Sequence, residues 1–356
     1  MLRLHVVSLV LGFVLLAGLV SLVLSGLASR LARCIGAVDR PTGGRKIHTQ
    51  TVPLWGGLGI AVAVLMFLGL AASGGIFAGL ELRYQQLIGF VAGVMILLIG
   101  GLMDDARPQP PHRQIIFPIL AALTVIAGGT GILQITHPFH SGALSLVWWY
   151  GFGLSLPADC ITFIWLMLAM YATKLLDGLD GLVTGLTVIG SGLVAALALS
   201  PAYFQPAVAI FSGIIGGAYL GFLPRNLYPA KHFLGEAGST LAGFSLGYLA
   251  ILSSAKLAIA LAVLAIPITD VAVVIWRRAR RGSPWYAGDD THLHFRLLQL
   301  GLSQRGAVLL LWSISLLAGV IALTVQTQGK IFLVSALILL AMLMSYVTGL
   351  KTHGPT

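Results

Sequence analysis

The sequence predicts an all-α, polytopic integral membrane protein with about eleven transmembrane helices. Three observations predict it. Of the 356 residues, 58% are hydrophobic and 9% are Lys, Arg, Asp or Glu, with a mean hydropathy of +0.96. A soluble domain carries roughly 25% charged residues, so this chain has too few to coat a water-facing surface. Long apolar runs recur from end to end, and the basic residues fall almost entirely on alternate loops. Together these exclude a soluble globular enzyme, a coiled coil and a disordered chain.

An apolar run of about 20 residues spans a bilayer core. Such runs occur at 5–27, 54–75, 87–103, 115–135, 160–175, 181–199, 206–223, 240–254, 256–276, 306–325 and 331–349. The first is longer than the apolar core of a signal peptide, and Arg30, Arg33, Arg40, Arg45 and Lys46 follow it. Basic residues just after a span hold that end in the cytoplasm, so the first helix is expected to be retained with its N-terminus outside. The stretch 140–157 is apolar but broken by Gly151, Gly153 and Pro157, and an interfacial or re-entrant segment is expected there. The 44 glycines suit close helix packing. Two cysteines, Cys34 and Cys160, are too few for a disulfide framework or a zinc cluster. One transmembrane domain over 1–356 is expected. Its cytoplasmic loops, 28–53, 104–114, 173–181, 224–239 and 277–305, are too short to form a soluble domain.

With that topology, 17 of the 21 Lys and Arg lie on one side, and only Arg3, Arg83, Lys256 and Lys330 on the other. This split obeys the positive-inside rule and puts the C-terminus in the cytoplasm. It accounts for the net charge of +10 without nucleic acid. Nine of the eleven carboxylates share the basic side, with only Glu81 and Asp159 elsewhere. The rule does not require that, since acids contribute little to topology. Carboxylates gathered among basic residues suggest a metal and phosphate site on the cytoplasmic face. A transporter of anionic metabolites would instead place its acids at mid-membrane between broken helices.

The loops supply the chemistry. Asp104 and Asp105 end the third span, where acids oppose the helix macrodipole. A divalent cation is the simplest compensation, and Mg²⁺ takes one or two carboxylates plus phosphate oxygens. In 173–181, Asp177 and Asp180 stand at i, i+3, and on a helix they would share a face. Lys174 stands three residues before Asp177 and would pair with it if that segment were helical. In 224–239, Asn226 and Lys231 precede Gly235-Glu236-Ala-Gly238-Ser239. Glycine-flanked amides before a helix suit an anion, or Ser239 or Thr240 simply caps the helix. In 277–305 an arginine run anchors topology, and His292, His294 and Arg296 follow. The two histidines share a side only on an extended backbone, so phosphate contact is favoured over a metal pair. Loop 28–53 carries Arg45, Lys46 and His48 among turn residues and is suited to anions.

Five motifs in order over 39–305 resemble the polyprenyl-phosphate N-acetylhexosamine-1-phosphate transferase family, that is, glycosyltransferase family 4. These are Asp39-Arg-Pro…Arg45-Lys46-x-His48…Pro53…Gly56-Gly57, the Asp104-Asp105 pair, Asp177-Gly-Leu-Asp180-Gly, Pro229-Ala-Lys231…Gly235-Glu236-x-Gly238-Ser239, and His292-Leu-His294-Phe-Arg296-Leu. The last is more similar to the branch that uses UDP-GlcNAc and undecaprenyl phosphate than to the muramoyl-pentapeptide branch. The chain departs from the family where NAxN becomes Tyr171 and Lys174, where the GDxGS aspartate becomes Glu236, and where a final histidine becomes Phe295.

The resemblance implies transfer of N-acetylhexosamine 1-phosphate, GlcNAc-1-phosphate above all, from a UDP-sugar to undecaprenyl phosphate, releasing UMP for cell-envelope glycan synthesis. It implies Mg²⁺, with Mn²⁺ as a substitute, held by Asp104, Asp105 and Glu236. Asp104 or Asp105 would alternatively help deprotonate the lipid phosphate. Asp177 and Asp180 would position nucleotide or metal, and His292, His294 and Arg296 would bind the diphosphate. Arg45, Lys46, His48, Lys174, Asn226 and Lys231 complete the expected substrate contacts. The membrane is a partner by construction, and helical packing is compatible with a homodimer. A member that has lost transfer and only binds lipid phosphate is the competing expectation.

Overall fold

The computed structural model describes residues 2–41, 50–78, 80, 82–137, 142–148, 150–151, 154–252, 257–280, 282 and 292–352. Arg45, Lys46 and His48 lie outside the described residues. The described chain is helical almost throughout: α1 (Leu2–Ile35), α2 (Gly56–Ser73), α3 (Tyr84–Ala106), α4 (Pro111–Gln114), α5 (Ile116–Ala127), α6 (Leu156–Leu176), α7 (Leu182–Ala198), α8 (Pro206–Asn226), α9 (Gly235–Leu252), α10 (Leu257–Arg280), α11 (Leu293–Gln299), α12 (Gln304–Thr324) and α13 (Thr327–Thr352). A helix overlies each of the predicted apolar runs. Among the described residues, eight helices are long and apolar enough to cross a membrane: α1, α2, α3, α6, α8, α10, α12 and α13. The chain is therefore a multi-pass membrane protein.

Two regions differ from the reading of the sequence. The run 115–135 yields a helix only to Ala127, because Gly128 and Gly129 end it, the latter at φ +73°. Beyond it, β3 (Gln134–Thr136) pairs antiparallel with β4 (Ala143–Ser145), and β5 (Tyr150–Gly151) with β6 (Leu154–Ser155). Within 140–157 the described residues hold β4, paired back to β3, and the β5–β6 pair that leads into α6, with no helix before Leu156. In the first loop, β1 (Val38–Asp39) pairs with β2 (Val52–Pro53).

The bundle is organised around α9, which packs against α2, α3, α6, α7 and α10. It is buried from Ala237 to Ile251, so it faces protein on all sides. Small residues make this crowding feasible. At Gly57 a Cβ would collide with the backbone of Gly238, so α2 and α9 touch main chain to main chain. Deeper in, Phe90, Phe211, Phe244 and Tyr248 form one aromatic cluster, with Phe90 4.7 Å from Tyr248 and 4.8 Å from Phe211 between ring centroids. The polar tips are satisfied internally, as a dry core demands. Tyr248 donates to the Gln86 carbonyl (2.8 Å), Tyr219 to that of Gly238 (2.8 Å) and Trp165 to that of Gly247 (3.0 Å). By contrast α1, α12 and α13 expose rows of Leu, Ile and Val, the composition of a lipid-facing surface.

Gly57→Ala places a methyl in the α2–α9 contact. Overpacking of this kind costs roughly 1–3 kcal/mol. A lowered melting temperature of the purified protein in detergent is the expected outcome. An unchanged melting temperature would show that the two helices can separate freely.

Candidate functional site

The end of α3, the start of α4, the end of α6, the turn before α7, the end of α8, the start of α9 and α11 meet at one end of the bundle. Hydrogen bonds stitch them. Gly56 and Gly57 donate to the carbonyls of Phe233 and Leu234, and Phe233 donates to that of Pro53. The Ala230 amide donates to Asp180 Oδ2 (2.9 Å), and a side chain at Gly178 would strike the His294 ring. These contacts join four of the five motif loops, the first of them through Pro53, Gly56 and Gly57, and the fifth joins through Asp105, which accepts from the Glu236 amide.

Asp104 and Asp105 occupy the last turn of α3. Protein donors meet much of the macrodipole conflict expected from the sequence. Asp104 Oδ1 accepts from the Gln109 amide (2.7 Å) and from Gln114 Nε2 (3.0 Å). Asp105 Oδ1 accepts from the Glu236 amide (2.9 Å) at the N-terminus of α9, where the helix dipole favours an anion. Asp105 Oδ2 is buried without a hydrogen-bond partner. It sits against Gly235, whose φ of +71° and missing Cβ permit the approach.

Glu236 is not in a loop before the helix but in the first turn of α9. Nor do Ser239 and Thr240 cap that helix. Their hydroxyls donate back to the carbonyls of Gly235 (3.0 Å) and Glu236 (2.7 Å). The expected Lys174–Asp177 pair is also overturned. α6 ends at Leu176, with Asp177 as its C-cap, and from there the chain turns out of the helix. Lys174 Nζ lies instead 2.5 Å from Glu236 Oε1 and donates to Gln114 Oε1 (3.0 Å).

Asp177 and Asp180 do not share a helical face, because 177–181 is a turn. The turn closes at Gly181 with φ +81°, a conformation that suits glycine. Both carboxylates nevertheless line one cleft of about 710 Å³, together with Arg33, Asp39, Lys231 and Gln304. Lys231 and Arg33 are exposed and available to an anion. Asp104 and Glu236 face a separate small recess beside Gln114. Asp105 lies between the two, behind Gly235.

Asn226 is a clasp rather than a free amide. Its Oδ1 accepts from the Gly181 amide (3.2 Å) and Thr184 Oγ1 (2.6 Å), and its Nδ2 donates to the His232 carbonyl (3.1 Å). Arg296 is likewise turned inward. It is buried and donates to the Ser345 carbonyl on α13 (2.8 Å), which fixes α11 rather than presenting a guanidinium to phosphate. His292 and His294 share a side, as the i, i+2 argument allows where the backbone is extended. His292 sits at the extended N-cap of α11 (ψ 147°) and His294 in its first turn, so their rings lie 5.7 Å apart and nearly parallel. His292 Nδ1 donates to Asp270 Oδ2 (2.9 Å), and the Leu293 amide donates to Asp270 Oδ1 (2.8 Å). Burial pushes His294 down to about 4, so it is neutral.

Sequence reasoning missed Asp270 and Gln114 as site-shaping residues. Asp270 had a signal, since a carboxylate inside an apolar helix is a functional hypothesis by default. Gln114 had none. It joins Asp104 to Lys174 only through the folded geometry.

The donor set at Asp105 fits Mg²⁺ by chemistry: an orphaned, buried carboxylate oxygen with the charges of Glu236, Asp104 and Asp177 acting on it. Among the described residues, no group of three or more His, Cys, Asp or Glu is placed to hold a metal unaided. That suits an ion that completes its shell with phosphate oxygens and water.

Burial above all, then the charges of Glu236 and Asp180, pushes Asp177 up to about 8 from an ordinary 3.8. Its folded value exceeds its unfolded one, so folding holds a proton between those limits. Stability therefore falls as pH rises toward 8 and levels off above it. The metal-free melting temperature should drop between pH 6 and 8, and Asp177→Asn should remove that part of the slope. A wild-type profile flat over this range would show that Asp177 is already ionised.

Residues 87–254 match the model of glycosyl transferase family 4. A probable undecaprenyl-phosphate N-acetylglucosaminyl 1-phosphate transferase of Bacillus subtilis is 30% identical over 338 residues, covering 92% of this chain and 89% of the relative. A decaprenyl-phosphate N-acetylglucosaminephosphotransferase of Mycolicibacterium smegmatis is 32% identical, covering 86% and 79%. A phospho-N-acetylmuramoyl-pentapeptide-transferase of Halalkalibacterium halodurans is 32% identical over 195 residues, covering 54% and 56%.

Proposed function

The chain belongs to glycosyl transferase family 4, and from that premise we propose that it transfers N-acetylglucosamine 1-phosphate from UDP-GlcNAc to undecaprenyl or a related polyprenyl phosphate, releasing UMP. The observation that carries this reading is the cleft holding Asp177, Asp180, Arg33 and Lys231, set beside the buried, unpartnered oxygen of Asp105. An oxygen of the lipid phosphate attacks the β-phosphorus of the nucleotide sugar. The bond from that phosphorus to the bridging oxygen breaks, and UMP leaves with the oxygen.

Both substrates are anionic. Lys231 and Arg33 reduce their repulsion and orient the diphosphate in the cleft. Asp177, in the same cleft, is the residue we assign to take the acceptor's proton, and Asp180 holds the turn in place through the Ala230 amide. The Asp270 carboxylate fixes the buried His292 imidazole. A bound Mg²⁺, held by Asp105 with Asp104 and Glu236 beside it, would neutralise the diphosphate and the charge on the leaving phosphate. In this reading eleven helices cross the inner membrane, the N-terminus is outside, and the site opens to the cytoplasm.

One observation favours a second reading, a lipid-phosphate binder without transfer: Lys174 engages Glu236. UMP release from UDP-GlcNAc in detergent, with undecaprenyl phosphate and Mg²⁺, separates the two. Transfer requires UMP release, and metal-dependent transfer requires release that EDTA abolishes. Asp105→Asn should lower the rate on the order of 10²–10³, as lost charge stabilisation typically does. Turnover indifferent to EDTA would remove the metal from the mechanism.

The topology has its own test. Cysteines introduced at positions 109 and 288 should label from the same, cytoplasmic side in intact cells. Labelling from opposite sides would break both the span count and the single-face site.

A further inference from the structure

Lys174 and Glu236 are 62 positions apart in sequence and meet at the centre of the site. The ammonium lies 2.5 Å from Glu236 Oε1, with the two side chains only 15% and 18% exposed. Gln114 Oε1 accepts from the same ammonium at 3.0 Å, and Gln114 Nε2 donates to Asp104 Oδ1 at 3.0 Å. The Tyr171 ring centroid lies 5.5 Å away. The cation comes from the last turn of α6 and the anion from the first turn of α9. Each is therefore favoured by its own helix dipole as well as by the other. The Glu236 backbone is pinned in turn by Asp105. A positive charge is thus built into the carboxylate group, held from three directions and largely out of water.

We propose that Lys174 is a resident cation that withholds Glu236 from a divalent ion. The ion then takes Asp105 from the protein and draws its remaining ligands from phosphate oxygens and water, which ties metal binding in this chain to the presence of a diphosphate. The inference rests on the metal position of the proposed function and deepens it by naming the residue that sets the ion's affinity. Lys174 is a positioning residue in this account. Its effect on substrate passes through Glu236 and the metal.

The test is Mn²⁺ binding to the full-length protein in detergent, followed by the loss of the free-ion EPR signal without any substrate. Lys174→Met frees Glu236 and removes a unit charge close to the ion, so it should tighten Mn²⁺ binding by about tenfold or more. The charge-neutral pair Lys174→Met with Glu236→Gln should stay within about threefold of wild type, because neither protein ligates the ion through position 236. UDP added to wild type should strengthen Mn²⁺ binding beyond what UDP alone achieves in buffer.

An unchanged or weaker affinity in Lys174→Met overturns the proposal, and so does the absence of measurable Mn²⁺ binding by that variant. If Lys174→Met does not fold, the neutral double variant decides: a fall of tenfold or more means that Glu236 already ligates the metal in wild type. Transfer is not read in this experiment. Failure to release UMP would therefore count against the proposed function alone, and an unmoved Mn²⁺ affinity against this inference alone.

Discussion

The end of α3 meets the start of α9 at a hydrogen bond from the Glu236 amide to Asp105, and the site is arranged around that junction. A carboxylate at a helix C-terminus is electrostatically misplaced, and an amide at a helix N-terminus needs an acceptor. Bringing the two ends together resolves both needs. It works only because Gly235 has no side chain to block Asp105. The same junction leaves the second Asp105 oxygen without a partner in a buried position, the condition under which a cation becomes favourable.

Around this point the acids divide. Asp177 and Asp180 face the cleft that holds Lys231 and Arg33, while Asp104 and Glu236 face the recess beside Gln114. Backbone geometry makes the division. The turn at 177–181 carries its two carboxylates away from α6, whereas Lys174 stays on the helix and reaches α9. The cleft with the exposed bases and the recess beside Gln114 thus take different carboxylates, with Asp105 behind Gly235 between them. The histidine end is braced independently, by Asp270 on one side and by the Arg296 contact with α13 on the other.

The packing that fixes these positions is that of a membrane helix bundle. α9 has no lipid-facing stripe, and Glu236, Ser239 and Thr240 lie at its start. Its glycines admit neighbouring backbones, and its Tyr, Phe and Leu residues fill what remains. A helix confined in this way cannot shift without moving Asp105 and Lys174 with it, which keeps short polar contacts in register next to an apolar interior.

Much of this was legible in the amino-acid sequence. Composition and apolar runs determined the all-α membrane class, because a bilayer admits few other solutions. The one-sided placement of acids and bases located the site at one end of the bundle, because charged groups are excluded from lipid wherever the chain allows it. Ordered motifs indicated the family. Which carboxylate faces which cavity was not legible. That depends on where helices stop and which ends meet: Lys174 reaches Glu236, 62 positions away, and not the nearby Asp177. The roles of Asn226, Arg296, Gln114 and Asp270 were hidden for a related reason. Each is defined by a partner distant in sequence, and a residue's type sets what it can bond to, while only the tertiary structure sets what lies within reach.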